Sequence, residues 1–296
     1  MVVAATGFFD GVHIGHMAII NQVLEIAKIK KEKSAIITFW PHPRAILQQD
    51  AYKLRLLTDI EEKKRLILAA GIDEFIVIPF SREFSKLSAK EFLSDFLKDK
   101  YGIADLVIGY DHTIGNDRTI TQDRIIQIAK EVGITAVKVK EVSNDGMCVS
   151  STKIREHILE GDIKLANKML GHNYSLNGVV VVGNRIGHTL GFPTANMKLY
   201  EPLKILPSNG VYVVSVQIQG KKYKGVCNIG LRPTVNMGNE KTIETHILDF
   251  NEDIYGLDIK IDFLDKIRDE KKFADREKLK KRISKDKEIA ANSSLY

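Results

Sequence analysis

Val2-Val3-Ala4-Ala5-Thr6 runs without a break into Gly7-Phe8-Phe9-Asp10-Gly11-Val12-His13-Ile14-Gly15-His16. The first five residues are small or branched and lack polar alternation, the pattern of a strand buried on both faces. Glycines break it, and a helical stripe of Ile19, Ile20, Val23, Ile26 and Ala27 follows at once. Outward from this unit the same alternation recurs. Residues 35–40, 75–79, 106–109 and 136–139 read as further strands of the doubly buried kind. Leu66, Ile67 and Ala70 form a second helical stripe, and Phe92, Leu93, Phe96 and Leu97 a third. Strands alternating with helices predict a doubly wound, parallel α/β sheet.

Beyond about residue 174 the period changes to two. Tyr212, Val214, Val216 and Ile218 alternate with Val213, Ser215, Gln217 and Gln219, and Ile259, Ile261 and Phe263 with Lys260 and Asp262. With turn dipeptides at Asn209-Gly210 and Gln219-Gly220, this predicts an antiparallel barrel or sandwich. A charged terminal helix carrying Phe273, Leu279 and Ile283 closes the chain. The expected domains are 1–173 and 174–296, and no internal repeat is evident.

Composition excludes several classes. The 296 residues carry a net charge of +6, yet Lys and Arg are interleaved with acids, as in Asp265-Lys266-Ile267-Arg268-Asp269-Glu270. That is a mixed, solvated surface and not a nucleic-acid stripe. Apolar runs such as Ala35-Ile36-Ile37 fall far below the ~18 residues of a membrane span. The first five residues lack the charged start of a signal peptide. Two cysteines, Cys148 and Cys227, are too few for a disulfide framework or a zinc site, so a reducing cytoplasm is expected.

Two constellations carry chemistry. In an open α/β sheet, ligands bind at the carboxyl ends of strands, often at a helix N-terminus whose free N–H groups suit phosphate. Gly7, Gly11 and Gly15 permit close backbone approach there, and His13 and His16 stand three residues apart, so both can address the same phosphates. A metal pair or two ordinary surface histidines are the alternatives. Val149-Ser150-Ser151-Thr152-Lys153-Ile154-Arg155 precedes another helix. Alone it is an N-cap with a solvated basic residue; beside the histidine turn it reads as a second phosphate clamp.

The second constellation is Gly183-Asn184-Arg185-Ile186-Gly187-His188-Thr189-Leu190-Gly191-Phe192-Pro193-Thr194-Ala195-Asn196. Glycines at this spacing are by themselves turn chemistry. The following hydroxyl and amide add oxygen ligands for a hard cation beside N–H groups for phosphate.

The first pair of segments resembles the His-x-Gly-His nucleotidyltransferases, and the second the flavokinase loop. Asn228-Ile229-Gly230-Leu231-Arg232-Pro233-Thr234, Glu244-Thr245-His246-Ile247-Leu248-Asp249-Phe250 and the 264–273 stretch follow in the flavokinase order. Nearly the whole chain is similar to the bacterial bifunctional riboflavin kinases/FMN adenylyltransferases. The resemblance implies a Rossmann-like doubly wound nucleotidyltransferase domain, then an antiparallel flavokinase barrel with a C-terminal helix. It implies riboflavin, FMN, FAD and ATP as substrates and products, with Mg2+ and without nucleic acid or membrane. His16 is then the main transition-state donor, supported by His13. Gly7, Phe8, Asp10, Gly11, Gly15, Ser151, Thr152 and Arg155 are implied to bind one ATP, and Gly183, Gly187 and Gly191 the other. Thr194 and Asn196 match the magnesium positions, and Glu244 the base; on periodicity alone Glu244 is an outward-facing strand residue.

Two segments depart from the family pattern. Gly109-Tyr110-Asp111-His112-Thr113-Ile114-Gly115 stands where a Phe-Gly pair is more common, though Asp111 keeps its place as a flavin contact. His188 replaces a commoner Arg. His42 falls in the flavin-side pocket by resemblance and is equally a turn residue. The rivals are a nucleotidyltransferase for another phosphorylated substrate and a flavin sensor without turnover; the second half opposes the former and the intact site residues the latter.

Overall fold

The computed structural model describes residues 1–47, 54–110, 113–117, 120–140, 143–144, 147–183, 191–234, 238–271 and 273–294. Asp111, His112, Gly187 and His188 lie outside them. The chain divides into two compact units, Met1–Ser151 and Thr152–Tyr296.

The first unit is built on β1 (Val2–Thr6), β2 (Lys33–Trp40), β3 (Glu74–Pro79), β4 (Ile103–Ile108) and β5 (Thr135–Lys138). They pair in the order β3-β2-β1-β4-β5, every pair parallel. Successive side chains leave a strand on opposite faces, and two separate cores result. Ala4, Ile37, Leu106 and Ile108 join Phe92, Leu93 and Leu97 on one face. Val3, Ala5, Ile36 and Val107 join Ile20, Val23 and Ala27 on the other. Helix α1 (Ile14–Lys30) covers the second face; α2 (Pro43–Leu47) and α3 (Ile60–Ala69) follow β2. The third expected stripe starts as α4 (Ala89–Glu91) and continues as a π-helix, Phe92–Lys100. There Phe84 meets Phe92 edge-on at 5.9 Å and Phe96 at 5.2 Å. Helix α5 (Gln122–Glu131) leads to β5, and a two-stranded ribbon, β6 (Ser143–Asn144) with β7 (Met147–Cys148), leads to α6 (Ser151–Glu160). The chain turns one way from β1 to β2 and the other way from β4 to β5, so the switch point lies between β1 and β4. In open sheets of this kind ligands bind outside the carboxyl ends of the strands at that point.

In the second unit α7 (Ile163–Leu170) precedes β8 (Ser175–Val181), β9 (Ala195–Leu199), β10 (Gly210–Ile218), β11 (Lys221–Thr234), β12 (Gly238–Ile247) and β13 (Asp258–Asp269). These close into a barrel in the order β10-β11-β12-β9-β8-β13, all antiparallel. Tyr212, Val214, Cys227, Ile229, Ile261 and Phe263 are buried, with Tyr212 edge-on to Phe263 at 5.4 Å. Burial pushes the Cys227 thiol up to about 12, so it stays an unreactive thiol at neutral pH. Asn167 on α7 clasps the barrel, its Nδ2 donating to the Phe263 carbonyl at 2.8 Å and its Oδ1 accepting from Tyr174 N–H at 2.7 Å.

The terminal helix α8 (Arg276–Asn292) departs from its expected apolar stripe. Leu279 and Ile283 are only half-buried; the buried positions are Asp286 and Ala290. Ala290 packs with Val213 and Leu248, which is why both residue sets of β10 are buried. The Asp286 carboxylate, 1% exposed, receives the Arg268 guanidinium through Nε at 3.0 Å and Nη2 at 2.8 Å. Removing one partner of a buried pair strands the other, so Asp286→Ala is expected to destabilise the second unit by about 3 kcal/mol. Urea unfolding followed by circular dichroism measures this, and a loss below about 0.5 kcal/mol would mean the helix is held by apolar contact alone.

Candidate active sites

The turn after β1 is shaped by its own strain and by a distant clamp. Phe9, Gly11 and Val12 have φ of 46°, 89° and 42°, a region that a β-branched residue such as Val12 rarely enters. Asp10 holds it there. Its carboxylate accepts from Leu57 N–H and Thr58 N–H, each at 3.0 Å, while Thr58 Oγ1 accepts from Gly11 N–H at 3.0 Å. Asp10 and Thr58 are 4% and 1% exposed. The Asp10 side chain is therefore directed into the protein, where it fixes the shape of the turn.

His13 is the N-cap of α1, its Nδ1 accepting from His16 N–H at 3.3 Å. That bond satisfies a free N–H of the first turn and places the proton of a neutral His13 on Nε2. The two imidazoles stack at 3.6 Å between centroids, and Phe9 meets His16 edge-on at 5.2 Å. A Cβ at position 15 would lie 3.1 Å from His13 Cε1, so Gly15 leaves room for the ring. At position 7 it would lie 3.1 Å from the Phe9 ring. Loss of water, then His13 and then Lys63 hold the His16 pKa well below the usual histidine value. Its Nδ1 is shielded and has no hydrogen-bond partner among the described residues.

Ser151 joins this turn. Its Oγ donates to the Asp10 carbonyl at 2.9 Å, which brings together two segments far apart in sequence. Thr152 is exposed and Arg155 half-buried on the α6 turns that follow, counted with the second unit. On the strand ends nearby, Phe8 contacts His42 at 4.9 Å and Phe39 at 5.6 Å between centroids. His42 is also a turn residue, its Nδ1 accepting from Arg44 N–H at 3.2 Å. Phe8 and Tyr110 are each 37% exposed, flat apolar surface at the carboxyl ends of β1 and β4.

On the barrel, register assembles the second site. Glu244 on β12 stands opposite Asn228 of β11 on one side and Asn196 of β9 on the other. Directly paired residues share a face, with Cβ atoms about 5 Å apart. Ile243, Thr245 and Ile247 fill the interior, while Glu244 is half-buried on the opposite face. A Cβ on Gly183 would lie 2.2 Å from Asn196 Nδ2, so the glycine makes space for the amide. Thr194 is half-buried and Gly191, φ 84°, exposed in the segment entering β9. His246 bonds through Nδ1 to the Pro193 carbonyl at 2.8 Å and packs on Phe192 at 5.6 Å, fixing that segment. Thr58 carried no signal in the sequence, and Asn228 only its place in a stretch that follows the flavokinase order. Their roles come from strand pairing and from a clamp between distant segments.

Residues 1–153 match the family model for FAD synthetase, and residues 170–294 the one for riboflavin kinase. The chain is 36% identical over 291 residues to the bifunctional riboflavin kinase/FMN adenylyltransferase of Bacillus subtilis, covering 97% of this chain and 91% of that protein. It is 34% identical to the Escherichia coli K12 protein of the same name, covering 96% and 90%. A crystal structure from Streptococcus pneumoniae, titled a macrolide-efflux protein, superposes with a TM-score of 0.91 at 33% identity, covering 99% of this chain and 94% of that one. Among the described residues no helix is long and apolar enough to cross a membrane. Both halves, their order and their full-length relatives agree: the chain belongs to the bifunctional riboflavin kinases/FMN adenylyltransferases, which phosphorylate riboflavin to FMN and adenylylate FMN to FAD.

Proposed function

We propose that the two reactions are divided between separate residue sets, FMN adenylylation at His13 and His16 and riboflavin phosphorylation at Glu244. The observation that carries this division is their placement on different sheets, the histidines behind β1 of the parallel sheet and Glu244 on β12 of the barrel. In the first reaction the FMN phosphate, already anionic, attacks the α-phosphorus of ATP and pyrophosphate leaves. No protein base is needed. Backbone N–H groups at Gly7, Phe8, Gly11 and Gly15 cradle the triphosphate, and Ser151, Thr152 and Arg155 grip its far end. His16, kept neutral, donates a ring N–H to charge building on the α-phosphate, with His13 beside it. His42 and Asp111 contact the flavin.

In the second reaction a ribityl hydroxyl attacks the γ-phosphorus while Glu244 takes its proton, and ADP leaves. Gly183, Gly187 and Gly191 let backbone approach the phosphates. Among the described residues no group of three or more His, Cys, Asp or Glu could hold a metal. The donors for Mg2+ that the family resemblance implies are the neutral oxygens of Thr194 and Asn196, with waters and the substrate phosphates completing the shell. When bound, the cation neutralises phosphate charge. Two cysteines outside any disulfide fit a cytoplasmic setting.

The domain limits proposed are 1–173 and 174–296, and fragments test them. Residues 174–296 expressed alone are expected to fold and to make FMN from riboflavin but no FAD. A fragment from Thr152 keeps the Asn167 clasp and is expected to be more stable by about 1–2 kcal/mol. A soluble, folded 152–296 fragment that makes no FMN would overturn the division.

A further inference from the structure

The ladder between β12 and β9 ends one residue short of Thr194. Glu244 pairs with Asn196 and Thr245 with Ala195, so the next antiparallel partner of Thr194 would be His246. Pro193 has no N–H with which to carry the ladder on, and β9 begins only at Ala195. At this point a side chain takes over from the backbone. A carbonyl oxygen only accepts, so His246 Nδ1 is the donor in its 2.8 Å bond to Pro193. Thr194 is therefore held on both sides, through Ala195 by the strand pair and through Pro193 by the imidazole. Phe192, edge-on to that ring at 5.6 Å, secures the segment one residue further back.

The same strand carries Glu244. Residues two apart on a strand share a face, and Glu244 and His246 are both half-buried on β12, between the buried Ile243, Thr245 and Ile247. One strand thus presents the carboxylate and holds the Thr194 segment. With its proton on Nδ1, a neutral imidazole leaves Nε2 as an acceptor. That atom is shielded from solvent and has no hydrogen-bond partner among the described residues. A leucine or phenylalanine would fill the place without burying such an atom, so what histidine adds here is the donor at Nδ1. We propose that His246 is a positioning residue for riboflavin phosphorylation, its Nδ1–H fixing the Pro193–Thr194 backbone so that the Thr194 hydroxyl is presented in a set place relative to Glu244. This rests on the assignment of Thr194 and Asn196 as the Mg2+ donors and of Glu244 as the base.

Asparagine and glutamine distinguish the donor from the bulk of the ring. Asn carries its amide nitrogen at the same remove from Cβ as His Nδ1, and Gln at that of Nε2. In the full-length protein, His246→Gln and His246→Leu are expected to lower kcat/KM for riboflavin phosphorylation by about 10- to 100-fold. Both should raise the Mg2+ concentration that gives half the maximal rate by about tenfold. His246→Asn should stay within about fivefold of wild type in each measure. Adenylylation of FMN by the same proteins should be unchanged, and urea midpoints report that the barrel is folded. Without any ligand, hydrogen exchange in the peptide containing Thr194 and Ala195 should quicken about tenfold in the Gln and Leu variants and not in His246→Asn. A His246→Leu kinase rate within about threefold of wild type would overturn the inference. So would equal losses in the Asn and Gln variants, or a lost rate with exchange at the wild-type pace. If His246→Leu does not fold, the Asn and Gln pair decides alone. Thr194→Val separates the layers: normal phosphorylation by it removes the Mg2+ assignment itself. A loss there beside an unaffected His246→Gln protein defeats only the role of His246.

Discussion

Glu244→Gln in the full chain is expected to lower riboflavin phosphorylation by about 10²–10⁴-fold while FMN supplied directly is still converted to FAD. The substitution preserves size and most hydrogen bonding but cannot take a proton. Glu244 stands between Asn228 and Asn196 in register across three strands, so its neighbours are polar side chains on the same barrel face. Flavin and ATP affinities should change little, because the amide still fills the space between the two asparagines. An outward strand carboxylate without a role predicts near-normal rates and at most ~0.5 kcal/mol of stability change. Steady-state kinetics decide between them, and a kinase rate within about threefold of wild type would remove Glu244 from the mechanism.

His16→Ala has the complementary expectation: FAD formation falls by about a hundredfold or more, and FMN formation stays nearly intact. Its pH dependence follows from the depressed pKa, caused by burial, His13 and Lys63. Imidazolium forms only below the folded value, which lies beneath the usual histidine range. His16 therefore adds no titration to adenylylation at the pH where an exposed histidine ionises, and an acid limb there belongs to the attacking FMN phosphate, whose second ionisation lies at about pH 6. The mutant should show a low rate with that same limb. Equal loss of both activities in a folded His16→Ala protein would defeat the two-site assignment.

Much of this architecture was legible because burial on both faces leaves a distinctive trace. Val3 and Ala5 serve one core and Ala4 the other, so β1 cannot afford a polar residue until Thr6. The barrel was legible by its alternation, although α8 blurs it by covering Val213 from outside. What stayed hidden depends on partners distant in sequence. Asp10 is implied by resemblance to bind ATP, and nothing in the glycine turn announces that its carboxylate also accepts from Leu57 and Thr58. Lys63 looked like one more charge in Glu61-Glu62-Lys63-Lys64-Arg65. Only the packing of the helix's buried face, with Ile67 one turn further, distinguishes Lys63 and Glu62 from the solvated Glu61, Lys64 and Arg65. Asp286 was likewise lost in a charged helix, because Arg268, one of its partners, lies on another element, while the other, Arg282, is an ordinary neighbour one turn away.

The pairing of β12 has a consequence for how this protein can vary in length. Side chains alternate along the strand, with Ile243, Thr245 and Ile247 inside the barrel and Glu244 on the other face. Deleting or adding one residue within β12 ahead of Glu244 would invert that parity and turn the carboxylate toward the apolar interior near Cys227 and Ile229. Changes by two would restore the facing but slide Glu244 past Asn196 and Asn228. Indels should accordingly be tolerated in the connections and purged from this strand, so that the spacing from Glu244 to the strand's end behaves as a fixed ruler while the loops around it drift.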